Sequence, residues 1–196
     1  MSRDGQRGLT LIELLVSMTV MLLAMTALAK LMVQTSRINK AQQMTAQVQA
    51  DARSCLTLIE AKLRSAGWDP LNAGLNIVSL DADLSDDVSE IEVFADLDGD
   101  GDTDTINEQI LIRHANGQIV WRPMSDVNEP FVVLATNISN DADGDGTIEP
   151  MFVPDSTTDP QRVTIRITAR SPDPNPMSGE FLRYTVTSDV VLRGAI

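Results

Sequence analysis

The stretch Gly8-Leu9-Thr10-Leu11-Ile12-Glu13-Leu14-Leu15, continued by VSMTVMLLAMTALAKLMV to residue 33, decides the fold. Between Glu13 and Lys30 lie 16 residues without a formal charge. A membrane-spanning helix needs about 20 predominantly apolar residues, so 9–29 suffices with Glu13 near one end. Arg3 and Arg7 precede the run and, by the positive-inside rule, hold residues 1–8 on the cytoplasmic side. An ordinary secretory signal is one reading, and Ala27-Leu28-Ala29 offers its small-x-small cleavage site. A plain signal anchor is another. Neither has a use for Glu13, and an ionisable group in a membrane segment is costly and generally functional.

The octet Gly8 to Leu15 resembles the prepilin peptidase motif of type IV pilins and of type II secretion pseudopilins. The resemblance implies cleavage after Gly8 and methylation of the new N-terminal residue, Leu9, where phenylalanine is more usual. It also implies that the fifth mature residue, Glu13, serves assembly. A physical argument supports that role. Cleavage leaves a positive amine at Leu9 beside an apolar environment, where an unpaired charge costs roughly 2.5–3.5 kcal/mol on insertion scales. A carboxylate on a neighbouring helix, stepped along the axis, compensates it. The competing reading places Glu13 merely at headgroup level.

Outward from the apolar run, residues 37–66 contain neither Pro nor Gly. Ile38, Ala41, Met44, Val48, Ala52, Cys55, Ile59, Leu63 and Ala66 recur at spacings of three and four, which is one face of a helix. Gly67 and Pro70 stop it. One helix over 9–66 is expected, a transmembrane or filament-core half (9–36) followed by an amphipathic half (37–66). The stripe is rich in Ala and poor in Leu, which argues against a strong coiled-coil seam. Cys55, the only cysteine, lies on the apolar face and reads as a small buried hydrophobe.

Beyond Gly67 the pattern changes to short alternating runs at 90–95, 108–113, 118–122, 131–136, 162–170 and 180–193. In RVTIRITAR (162–170), Val163, Ile165, Ile167 and Ala169 alternate with Arg162, Thr164, Arg166 and Arg170. Asn116-Gly117 reads as a hairpin turn. The expected class is therefore α+β: a long N-terminal helix packed on an antiparallel sheet in a globular head, residues 67–196.

Two loops within that head are acidic. Asp96-Leu97-Asp98-Gly99-Asp100-Gly101-Asp102-Thr103-Asp104 and Asp141-Ala142-Asp143-Gly144-Asp145-Gly146-Thr147-Ile148-Glu149 follow the first nine positions of an EF-hand-type loop. Acids at positions one, three and five converge because glycine at six allows the sharp turn. Position seven supplies a backbone oxygen and nine another donor, a hard set that suits Ca2+. The twelfth position is Asn107 in one loop and Phe152 in the other, leaving Glu108 and Asp155 as substitutes. Solvated turns would use the same Asp and Gly residues. Twelve acids and no Lys or Arg lie between residues 81 and 108, a density that repels itself without a counterion.

Net charge is −13, from 15 basic and 28 acidic residues, which argues against a nucleic-acid partner. No catalytic set is apparent, and the protein is expected not to be an enzyme. The single histidine, His114, borders a turn and reads as solvated. The helix exit Arg64-Ser65-Ala66-Gly67-Trp68-Asp69-Pro70 and the run Phe94 to Gly101 resemble PilW-type minor pilins, which are similar to the J-type minor pseudopilin. That resemblance implies a minor subunit that primes or caps a filament. Its partners would be other pilins, prepilin peptidase and the bacterial inner membrane, which it leaves for the filament. A minor pseudopilin of type II secretion and a calcium-dependent adhesin on a signal anchor are the alternatives.

Overall fold

The computed structural model describes residues 10–80, 89–124, 129–156 and 160–192. Among the described residues a single helix, α1 (Leu11–Leu63), is followed by eight strands. Thr10 starts the helix in extended backbone, with its side chain accepting the Glu13 N–H and the Glu13 side chain reaching back to the Thr10 N–H. That reciprocal pair satisfies two donors that the first turn would otherwise leave bare. At the other end, Ser65 and Ala66 donate to Lys62 and Leu63, three residues back, so the last turn tightens. Gly67 then leaves the helix at φ 71. The expected end at Ala66 is thus a tight turn just past the helix, and the expected start at Leu9 lies outside the described residues.

With 53 residues, α1 is about 80 Å long. From Leu11 to Lys40 no residue is buried. Burial begins at Val48 and continues through Ala52, Cys55, Leu56, Ile59 and Leu63. Of the expected stripe, Ile38 is exposed and Ala41 and Met44 only half-buried, because the head does not extend over them.

The strands are β1 (Val78–Leu80), β2 (Ser89–Phe94), β3 (Gln109–Ala115), β4 (Gln118–Pro123), β5 (Val132–Thr136), β6 (Phe152–Pro154), β7 (Arg162–Pro174) and β8 (Phe181–Val191). They form two antiparallel sheets, β1-β2-β3-β4-β5 and β6-β7-β8, instead of the single sheet expected. The division falls after β5, where Asn137 and Asn140 take left-handed backbone (φ 59 and 45) and the chain turns away. There an isolated bridge, Ile138 to Ala169, joins the segment after β5 to β7. β1 and β6, three residues each, are too short to show alternation.

Register sets the core. Ile91 faces Ile112 and Val93 faces Ile110 across β2 and β3, all four buried. Val163, Ile165, Ile167 and Ala169 turn inward from β7, as their alternation predicts. The buried face of α1 packs chiefly on β7 and β8 and touches β5. Arg53 donates to the Tyr184 hydroxyl on β8 at 3.1 Å, and the Lys62 ammonium lies 5.2 Å from the Trp121 ring on β4. The helix end is therefore fastened to both sheets.

His114 corrects the sequence reading. It is the penultimate residue of β3, only 1% exposed, and its Nε2–H donates to the Ile138 carbonyl at 3.2 Å. Burial lowers its pKa below the ordinary value, against the upward pull of that bond.

Candidate functional sites at the helix start and the acidic loops

Gly8 and Leu9, the expected processing pair, lie outside the described residues. Glu13 is in the first turn of α1 and exposed. Its carboxylate accepts the Thr10 N–H at 3.0 Å and the Thr10 hydroxyl at 2.9 Å. The carboxylate therefore points toward the N-terminal end of the helix, one residue from the expected junction. The helix behind it passes the length and hydropathy requirements for crossing a membrane. Its side chains from Leu11 to Ala29 are all exposed, and only the β7–β8 tip comes near them, beside Thr26 and Ala29.

The first acidic loop is built against the helix exit. Gly67 donates to the Phe94 carbonyl and Asp96 donates to the Trp68 carbonyl, both at 2.8 Å, so the end of β2 and the exit chain run side by side. The Asp69 carboxylate holds the exit chain by accepting the N–H groups of Ala73 and Gly74 at 2.9 Å, which lowers its pKa despite some desolvation. Pro70 and Leu71 lie under Gly99 and Gly101, whose φ angles of 81 and 96 only glycine takes readily.

Within the loop, Asp96 is fully buried. Its carboxylate accepts the N–H groups of Gly99 (2.5 Å), Asp100 (3.2 Å) and Gly101 (3.0 Å). Glu108, 1% exposed, accepts Leu97 and Asp98 on one oxygen and Thr105 on the other, at 2.8, 3.1 and 3.0 Å. Desolvation pushes the Glu108 pKa up, but the hydrogen bonds from Thr105, Asp98 and Leu97 outweigh it and leave a net lowering. Glu108 thus closes the loop through backbone donors. The other expected substitute, Asp155, accepts from Gln161 and Arg162 at the β6–β7 turn and takes no part in either loop. Phe152, at the twelfth place of the second loop, is buried in the core.

Oxygens of Asp96, Asp98 and Asp100 lie within 4.8 Å of one another, as do those of Asp100, Asp102 and Asp104. Such proximity is strained for anions. The Asp102 side chain and its charge raise the Asp104 pKa. Asp100 is raised too: the Asp102 N–H lowers it, but desolvation and the charges of Asp102, Asp98 and Glu108 prevail. Among the described residues no arginine or lysine pairs with this loop. Three converging carboxylates on a preformed turn, lacking a protein counter-charge, fit a hard divalent cation.

The second loop brings Asp141, Asp143 and Asp145 together equally closely. Asp141 accepts the Gly144 N–H at 2.6 Å, Asp145 donates its N–H to Asp143, and Thr147 donates its N–H to Asp145. Here, however, Arg183 approaches Asp141 at 3.7 Å and Arg166 approaches Glu149 at 3.4 Å. Arginine already supplies the counter-charge, so this loop fits a cation less well. Its anchor is Asn140, fully buried, which donates to the Glu149 and Arg166 carbonyls and accepts from Thr168 N–H. Its partners are backbone groups of the loop and of β7, so nothing in the local Asp-Gly pattern marks that latch.

Residues 3–29 match the family model of the prokaryotic N-terminal methylation motif. No curated protein matches the chain, and no solved structure matches it.

Proposed function

We propose that this chain is a subunit of a pilin-like filament, stored in the bacterial inner membrane by α1, cut after Gly8 by prepilin peptidase and methylated on Leu9. The observation that carries the reading is the methylation-motif match over residues 3–29, placed on a helix that is apolar and uncovered from Leu11 to Ala29. An uncovered apolar rod is stable in lipid or against other such rods, and filament assembly exchanges one for the other. Glu13, at the exposed start of that rod, supplies the carboxylate for the amine that cleavage creates.

The finer reading is a minor subunit that helps initiate or cap a type IV pilus, with other pilins as partners. What supports it is the close packing of the helix exit on the first acidic loop, the two segments whose sequence resembles PilW-type minor pilins. The role is structural, not catalytic. Ca2+ belongs to the same reading: Asp96, Asp98, Asp100 and Asp104, with the backbone of Asp102, would hold it. Bound there, the ion neutralises the crowded carboxylates.

Gly8→Leu tests processing and assembly together. The variant is expected to remain in the membrane as full-length precursor and to be missing from sheared surface filaments that contain the unaltered chain. A Gly8→Leu chain that is cut and incorporated normally would overturn the reading.

A further inference from the structure

The hairpin between β7 and β8 turns over through residues 175–180. The Asn175 side chain accepts the Met177 N–H, Gly179 N–H donates to the Asn175 carbonyl, and Asn175 N–H donates to the Glu180 carbonyl, each at 2.8 Å. This tip is laid against α1 far below the head's core. Pro176 and Met177 form one wall of a groove of about 530 Å³, and Thr26, Ala29, Lys30, Val33 and Arg37 form the other. Met177 is 55% exposed, and Lys30 and Arg37 form no ion pair among the described residues.

The groove's height along the helix identifies what meets it. A hydrocarbon core of about 30 Å takes about 20 helical residues, so a span that begins near Leu11 ends near Lys30. Lys30 is the first charged residue after Glu13. Arg37 stands about 10 Å further out, at headgroup level. The groove therefore straddles the boundary between acyl chains and headgroups, with Thr26 and Ala29 at its acyl end and Lys30, Gln34 and Arg37 at its headgroup end.

We propose that, before assembly, the β7–β8 tip docks on the head-side leaflet of the membrane, with Met177 at the acyl boundary and Lys30 and Arg37 holding phospholipid phosphates. The inference rests on the proposed role of α1 as a membrane span. Phospholipid is the occupant because Thr26, Ala29 and Lys30 in the groove wall belong to the end of the span, so lipid reaches the groove as soon as the helix inserts. The anionic phosphate complements the two basic groups. Asp173 on the β7 arm and Glu180 at the end of the turn are exposed and repelled by an anionic surface, which limits how deep the tip enters. Docking fixes the orientation of the head above the bilayer, and extraction into a filament must release it.

The test uses the full chain in vesicles of phosphatidylethanolamine and phosphatidylglycerol, with spin-labelled lipids as quenchers. A fluorophore is placed in turn at Met177→Cys, Leu22→Cys and Ile106→Cys. Cys55 does not compete for the label, since it is buried and its thiol is pushed up to about 12 by desolvation. Ile106, 72% exposed beside the first acidic loop, lies at the far end of the helix and serves as the aqueous control. The expected result is quenching at position 22 by lipids labelled deep in the acyl chain, quenching at 177 by lipids labelled at the headgroup, and none at 106. Lys30→Gln with Arg37→Gln should lower the docked-to-undocked ratio at 177 roughly 30-fold, at about 1 kcal/mol for each basic group near an anionic surface. Quenching at 22 with position 177 behaving like 106 overturns the docking and leaves the span intact. Absence of quenching at 22 overturns the span and the docking with it. Quenching at 177 that survives loss of both basic groups overturns the phosphate contact.

Discussion

Glu13 has two partners to choose between. In the uncut chain it caps its own helix through Thr10. On the proposed function, it would instead meet the Leu9 amine of another subunit in a filament. The two demands separate by substitution. Glu13→Gln keeps a side chain able to complete the capping pair but removes the charge. Glu13→Ala removes both, at about 1 kcal/mol for the lost cap. Both variants should insert and be cut. Both should lose filament incorporation by about tenfold or more, since the uncompensated amine is worth roughly 2.5–3.5 kcal/mol in a membrane segment. Normal incorporation of Glu13→Gln in sheared filaments would show that Glu13 acts only as a cap. At the same scale, replacing Asp96, Asp98 and Asp100 by Asn should remove most of any rise in Tm that calcium gives the head. Native-state binding adds about 2.7 kcal/mol at a hundredfold excess over Kd. Identical melting in calcium and in chelator would mean that the loop is a turn and nothing more. His114 gives a pH signature. Its folded pKa lies below the ordinary 6.5, so the unfolded chain takes up the proton first. Stability is complete above about pH 6.5 and falls as pH drops from there toward the folded value. Asp69, Glu108, Asp145 and Asp155, with lowered pKa values, lose their contributions only in the ordinary carboxylate range and below it. A Tm profile should therefore fall as pH drops below about 6.5, and that fall should flatten in His114→Gln. The sequence hid this burial because a polar residue next to Asn116-Gly117 looks like part of the turn. Its true neighbours, Ile119 across the ladder and Ile138 from the next segment, are set by tertiary structure.

Among the elements, α1 was the most legible. Its apolar run, lack of Gly and Pro and stop at Gly67 are all local signals, and the structure follows them to within a few residues. How far the head covers it was not legible, since periodicity marks a face without saying what lies on that face. Val48 to Leu63 is covered and Ile38 is not. Ile59→Ala should accordingly destabilise the head by about 2–5 kcal/mol, whereas Ile38→Ala should change it by less than about 0.5 kcal/mol. Denaturant midpoints of a head beginning near residue 37 would check the pair, and equal losses would contradict the described docking. Six of the eight strands were readable from alternation. The split into two sheets was not, because it depends on the left-handed backbone at Asn137 and Asn140 and on which edges find partners. The acidic loops were visible as motifs, but the difference between them was not. That difference comes from Arg183 and Arg166, distant in sequence and brought alongside by β7 and β8.

Taken whole, the molecule is a rod with a head fastened to its far end. The rod's lower half presents apolar side chains all round, exposed from Leu11 to Ala29. The head is acidic and carries a buried core, and on the proposed function it stays outside the hydrocarbon while the rod exchanges lipid for similar rods. A signal peptide would part from the head near Ala29, whereas a processed filament subunit must keep the entire rod. Intact mass with N-terminal sequencing of the chain recovered from cells decides between these directly. The expected result is a chain beginning at methylated Leu9 and retaining Glu13. A mature chain beginning at Lys30, or one that keeps residues 1–8, would contradict it.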